Sequence, residues 1–186
     1  MNTMLKKWKK VRTRMLFRNK YFALHEDTVR LPNGALTKYF VNNPHGRAVH
    51  VLAFDQRGRM LITKEYRHAV GKVIFGAIGG SVERSETPLH AAQREMKEET
   101  GFRAKHWRFI GKYFANPARS GTVFYVYMAT GLTPGQSHPE PAEIIEYEFL
   151  PLKRLDSMIK QGRIDDGYSL ASYMLFRIKY PHYGHN

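Results

Sequence analysis

The sequence predicts a mixed α/β fold in which helices cover a sheet, and three observations carry that expectation. From Tyr21 to Leu150 most of the chain reads as short β-rich runs broken by turn residues. The stretch from Gly80 to Phe102 changes to the helical period. Two further helical stretches close the chain after Lys153. No internal repeat or low-complexity segment interrupts this order.

Residues 1–20 are a basic arm. Lys6, Lys7, Lys9, Lys10, Arg12, Arg14, Arg18 and Lys20 stand there with no acid, so much of the formal charge of +14 sits at one end. Such an arm suits RNA, an anionic membrane surface or an acidic partner, and an Arg-rich, acid-free start is also a feature of organelle targeting. The plainer alternative is a solvated helix that lays Leu5, Trp8, Met15 and Leu16 against the body.

Residues 21–44 predict a hairpin subdomain. The runs YFALHEDTVRL and ALTKYFVN are β-rich and flank Pro32-Asn33-Gly34, a turn signal. From residue 45 to 180 a main domain is expected. RAVHVLAFD and RMLITKEYR, joined through Gln56-Arg57-Gly58, predict a second hairpin of more buried strands, and KVIFGAIGG leads into the helical stretch. After it, WRFIGKYFA and TVFYVYMAT read as strands on either side of the loop NPARSG. TPGQSHPEPAE is a polar, Pro-rich loop and EIIEYEFLPL a last strand. A helix is expected from near Lys153. Another opens at Asp165 or Asp166, carries Leu170, Met174 and Ile178 near one face, and stops before Pro181.

The helix inside GSVERSETPLHAAQREMKEETGF carries the chemistry. Thr87 suits the cap, Pro88 the first helical position, and Gly101 the left-handed residue at the far end, which leaves thirteen helical residues between them. Leu89, Ala92 and Met96 point to one side and can pack on a core. Glu95, Glu98 and Glu99 fall on one arc, because residues three and four apart share a helix face. Three like charges there repel, and a hard divalent cation that takes carboxylate oxygens relieves them.

Cysteine is absent from the 186 residues, which excludes a disulfide framework and thiolate chemistry. No apolar run approaches the length of a membrane span and the start lacks the apolar centre of a secretory signal. A soluble, cytoplasmic protein of one domain with a small appendage is expected.

Gly80, five residues, Glu86, seven residues, then Arg94-Glu95-Met96-Lys97-Glu98-Glu99-Thr100-Gly101-Phe102 resembles the Nudix hydrolase box at every specified position. Features outside the box resemble the ADP-ribose and ADP-sugar pyrophosphatase branch. They are the N-terminal hairpin DTVRLPNGALTKYFV, the run LITKEYRHAVGKVIF with its Glu-Tyr-Arg, and Pro117, sixteen residues after Gly101. One departure stands out. Where the branch has Glu-Leu-Pro-Ala-Gly, this chain has Gly76-Ala77-Ile78-Gly79-Gly80.

The resemblance implies a Nudix-type α/β/α sandwich with a mixed sheet, preceded by a small N-terminal β-strand subdomain. It also implies Mg²⁺-dependent hydrolysis of a nucleoside diphosphate sugar, ADP-ribose to AMP and ribose 5-phosphate, with Mn²⁺ as a substitute ion. By the same resemblance Glu95 and Glu99 are metal ligands with the Gly79 carbonyl, and Glu98 serves a second ion or its waters. Gly80, Glu86, Arg94 and Gly101 are structural in the box, Arg94 and Glu86 orienting the glutamates. The general base falls on a loop beyond the box, at Glu143 or, second, Glu140.

Arg67 suits a phosphate because its guanidinium fork matches phosphate oxygens; its alternative is an ion pair with Glu65. Arg119 and Pro117 are expected near the distal sugar phosphate, and Tyr21 or Phe22 against a base. The branch pairs two subunits through its N-terminal strands, so a homodimer is expected. GDP-mannose or another nucleotide sugar, a 5′-pyrophosphorylated RNA held by the basic arm, and a nucleotide sensor without catalysis are the alternatives.

Overall fold

The computed structural model describes residues 6–43, 45–137 and 144–184. It divides into two compact units, Met1–Gly46 with Phe114–Val123, and Arg47–Tyr113 with Phe124–Asn186.

The first unit is built on a three-stranded antiparallel sheet in which β1 (Lys9–Arg18) pairs with β2 (Ala23–Arg30), and β2 with β3 (Leu36–Asn42). The expected hairpin is β2–β3, turning where Gly34 takes φ +88°. The arm corrects the helical alternative, since most of it is strand. Clustered cations on a helix repel at three- and four-residue spacing, whereas pairing with β2 sets them opposite Glu26 and Asp27, the acids of residues 1–46. Arg14 meets Glu26 at 3.4 Å, Lys38 of β3 meets it at 3.2 Å, and Thr13 donates to Asp27. Trp8, Met15 and Leu16 are exposed rather than packed inward, although the Trp8 ring meets Tyr39 edge-on at 5.9 Å. Leu5 lies outside the described residues.

In the second unit the sheet order is β7-β4-β9-β8 beside β10-β5-β6, from β4 (Arg47–Ala53), β5 (Met60–Arg67), β6 (Lys72–Gly76), β7 (Ile78–Ser81), β8 (Arg103–Phe114), β9 (Val123–Thr133) and β10 (Ile145–Leu150). The expected second hairpin is corrected here. After a single bridge between Phe54 and Met60, β4 and β5 part into different sheets. Their apolar runs explain it: both are internal strands, and each has neighbours on both edges within its own sheet. The corner between them is held by Asp55, whose Oδ1 accepts from the backbone N–H groups of Arg57 and Arg59, each at 2.9 Å.

Three helices complete this unit: α1 (Pro88–Thr100), α2 (Leu152–Lys160) and α3 (Gly167–Lys179). Strand β4 divides the core by its two-residue period. Val49, Val51 and Ala53 join Ala91, Ala92 and Met96 of α1, while Leu52 and Phe54 join Leu155, Met158 and Phe176 of α2 and α3. On α3 the buried residues are Ser169, Ser172, Tyr173 and Phe176. Met174 and Ile178 are exposed, and this corrects the apolar face read from the sequence. The opening of α3 agrees with expectation, Asp166 capping it by accepting from Ser169 N at 2.9 Å. Among the described residues no helix is long and apolar enough to cross a membrane.

Candidate active site

Helix α1 has the predicted ends. Thr87 Oγ1 accepts from His90 N at 3.2 Å, Pro88 is the first helical residue, and Gly101 takes φ +76° with its N–H on the Lys97 carbonyl. Ala92 and Met96 are fully buried, with Leu89 half-buried beside them. That anchorage fixes the opposite arc. Glu99 is 8% exposed, the Glu95 side chain 13% and the Glu98 side chain 40%, so the arc runs from the protein interior outward to solvent.

Arg94 organises these carboxylates. Its Nη1 lies 2.9 Å from Glu95 Oε1 and 3.0 Å from Glu98 Oε2. Its Nε and Nη2 donate to the two oxygens of Glu86 at 3.1 and 3.0 Å, and Nη2 also donates to the Ser81 carbonyl at 2.9 Å. The hydrogen bond from Arg94 holds the Glu86 carboxyl below the usual carboxylate range, and the bond to Glu86 in turn raises the Arg94 pKa. Glu86 also accepts from Glu83 N at 3.0 Å, which ties the turn before α1 to the same guanidinium.

Strand β7 runs beneath the arc. Gly79 N donates to Glu99 Oε1 at 3.2 Å, and the Glu95 carboxylate rests on Gly80, where an added Cβ would stand 2.1 Å from Oε1. All potential ligands are oxygens, the donor type that suits Mg²⁺ or Mn²⁺. Among the described residues no three acidic or histidine side chains converge closely enough to enclose an ion. Glu86, Glu95 and Glu98 are instead spread across Arg94.

Gly79, Gly80 and Ser81 also line a cleft of about 560 Å³. Arg67 borders it, and its Nη2 meets Glu65 at 2.8 Å. The ion pair expected as the alternative reading of Arg67 is therefore formed, and its side chain remains 60% exposed.

Tyr21, Phe22, Pro117 and Arg119 belong to the first unit. Tyr21 is exposed under the Lys20 ammonium, 4.4 Å from the ring centre, and Phe22 leans on Phe17. The loop of Pro117 and Arg119 is bonded to β3, the Arg119 carbonyl accepting from Asn42 N at 2.8 Å and the Ala118 carbonyl from Tyr39. Glu140 and Glu143 lie outside the described residues.

Sequence reasoning missed four cleft residues: His50, Phe124, Asp166 and Tyr168. Asp166 was legible only as a cap. His50 had no spacing signal to offer, since its hydrogen-bond partner Ser172 is 122 residues away. Burial lowers its pKa to about 4, the Asp166 charge opposing this and Arg67 adding to it.

Comparison with known proteins identifies the family. The profile of the NUDIX domain matches residues 44–173, and that of the nucleoside diphosphate sugar hydrolase N-terminal domain matches residues 8–42. A methanol dehydrogenase activator of Bacillus methanolicus is 27% identical over 92% of this chain and 93% of its own. An ADP-ribose pyrophosphatase of Bacillus subtilis is 30% identical over 76% of this chain and 75% of its own. Among solved structures, an ADP compounds hydrolase superposes with a TM-score of 0.86 at 20% identity, over 97% of this chain and 98% of that one. At that identity the superposition speaks for the fold, and it agrees with the predicted α/β arrangement preceded by a separate N-terminal sheet.

Proposed function

Because the chain belongs to the NUDIX family, as a Nudix hydrolase of the ADP-ribose pyrophosphatase kind, we propose that it hydrolyses ADP-ribose to AMP and ribose 5-phosphate with a divalent cation. Both matching profiles and the B. subtilis relative support the substrate class. The observation that carries the reading is local. Glu99 bound to Gly79 N–H and Glu95 seated on Gly80 place two carboxylates against the strand that lines a cleft bordered by Arg67.

Glu95 and Glu99, with the Gly79 carbonyl, would hold Mg²⁺, and Glu98 a second ion or its waters. The bound ion would neutralise the diphosphate and lower the pKa of water. Everything else falls to the chain. Arg94 and Glu86 keep the glutamates in register, a positioning role that requires the guanidinium to grip several oxygens at once. Arg67 steers the anionic diphosphate into the cleft, since an anion otherwise repels an incoming hydroxide. Water is held in line with one phosphorus, the P–O–P bridge breaks, and the departing phosphate takes the bridging oxygen. Glu143, with Glu140 second, would receive the proton of that water.

The test is a product assay on a panel of diphosphate compounds with and without Mg²⁺, with the products identified by mass. ADP-ribose is expected to give AMP and ribose 5-phosphate only when the ion is present, and chelation is expected to stop the reaction reversibly. Release of phosphate from ADP-ribose without AMP, or turnover unaffected by chelation, would overturn the reading. In the folded state two copies are proposed to pair through their N-terminal strands.

A further inference from the structure

The cleft holds a histidine for which the proposed reaction has no use. His50 lies on β4 facing α3, with Nδ1 2.9 Å from Ser172 Oγ and its ring edge-on to Phe124 and Tyr168 at 5.4 and 6.4 Å. Counting hydrogens assigns its tautomer. Tyr113 donates its one hydroxyl hydrogen to the Tyr168 carbonyl at 2.8 Å, because a carbonyl only accepts. The 3.2 Å contact between Tyr113 and Ser172 is then a hydrogen bond only if Ser172 supplies the hydrogen. With that hydrogen committed, Ser172 must accept from the imidazole, so His50 carries its N–H on Nδ1. Nε2 is then the ring nitrogen that carries no hydrogen, and it can accept one.

The Cδ2–Nε2 edge of the ring faces β7. A Cβ at Gly79 would lie 2.3 Å from Cδ2 and 3.0 Å from Nε2, so the ring packs against this glycine and no side chain fits opposite it. A second acceptor stands at the start of α3. Asp166 Oδ2 takes the Ser169 N–H and hydroxyl, and Oδ1 makes no hydrogen bond among the described residues. Phe124 and Tyr168, stacked at 4.8 Å and 17°, form an aromatic wall of the same cleft.

Two acceptors over an aromatic wall repel phosphate oxygens and welcome hydroxyls, while the C–H face of a sugar packs on a ring. We propose that His50 Nε2 and Asp166 Oδ1 accept hydroxyls of the sugar esterified to the diphosphate, and that His50 determines specificity for that sugar. The assignment rests on the diphosphate hydrolase reading above.

Two variants separate structure from recognition. His50→Asn keeps an N–H near the place of Nδ1 for Ser172 and leaves nothing at Nε2; His50→Gln sets an amide oxygen near Nε2. Each is assayed on ADP-ribose and on ADP carrying a methyl ester at its β-phosphate, which has a cleavable diphosphate and no distal hydroxyl. His50→Asn is expected to lower kcat/KM for ADP-ribose about tenfold, mostly through KM, and to leave the methyl ester within about twofold, the loss of one hydrogen bond. His50→Gln is expected to recover most of that loss. Nitrogen-15 NMR of the wild-type chain is expected to show Nδ1 protonated and Nε2 bare.

Equal losses on both compounds, or a hydrogen found on Nε2, would overturn the subsite. So would a wild-type enzyme that cleaves both compounds while His50→Asn cleaves ADP-ribose unchanged, and that result leaves the hydrolase reading standing. A wild-type enzyme that cleaves neither overturns the hydrolase reading itself.

Discussion

A methyl group on Gly80 would stand 2.1 Å from Glu95 Oε1, so the carboxylate occupies a hollow that only a glycine at that position leaves open. The backbone there is not in the left-handed region, and alanine is conformationally acceptable. Gly80→Ala is therefore expected to displace Glu95 rather than unfold the chain. Turnover should fall by more than about tenfold, as a carboxylate shifted by an ångström loses its geometry. Steady-state kinetics and a melting curve on the same sample check both halves.

Glu98→Gln and Glu99→Gln are expected to lower kcat by about a hundredfold or more, the scale of removing one electrostatic contributor from a catalytic site. Neither should unfold the protein. Glu98 is 40% exposed in its side chain, and a glutamine at 99 still offers an oxygen to Gly79 N–H. Unaltered activity in both variants would sink the carboxylate assignment.

Arg94→Lys tests the clamp. An ammonium has no planar fork and cannot reach Glu86, Glu95, Glu98 and the Ser81 carbonyl together. The expected cost is about 1–2 kcal/mol in denaturant unfolding, the net worth of one or two charge-assisted hydrogen bonds, together with a drop in kcat. Full activity at reduced stability would show that Arg94 only holds the fold.

Asp55 makes a pH prediction away from the site. Burial pushes its pKa up, but the hydrogen bonds from the Arg59 and Arg57 backbones and the Arg59 side chain outweigh it, and the net shift is downward from 3.8. A depressed folded pKa means the stabilisation is present above the unfolded value and is lost as pH falls through the folded one. The stability gap between wild type and Asp55→Asn is thus expected to be full at neutral pH and to close below about pH 4. Urea unfolding across that range measures it, and a gap that persists at pH 2 counts against the Asp55 corner.

Legibility in the sequence followed the range of the interaction. The ends of α1 were readable because Thr87, Pro88 and Gly101 act on backbone within one turn. Most of the strands after Tyr21 were readable as strands, whereas β1 was not. Their pairing was less so: Gln56-Arg57-Gly58 marks a turn, but whether β4 and β5 pair across it depends on competing partners, and β6, β7, β9 and β10 took those edges. That the basic arm forms a strand was hidden for a similar reason, because Glu26 and Asp27, which make a strand of it favourable, lie a hairpin away.

By itself, then, the sequence established the family, the α/β class, the capped helix and the three glutamates on one of its faces, all properties of short-range periodicity and of residue types at set spacing. The tertiary structure alone decided that Arg94 stands between Glu86 and the pair Glu95 and Glu98, that Gly79 and Gly80 meet Glu99 and Glu95, and that His50 meets Ser172 across 122 residues. The physical reason is that a hydrogen-bond partner is chosen by distance in space, and packing two core layers around β4 sets distances that no local spacing encodes.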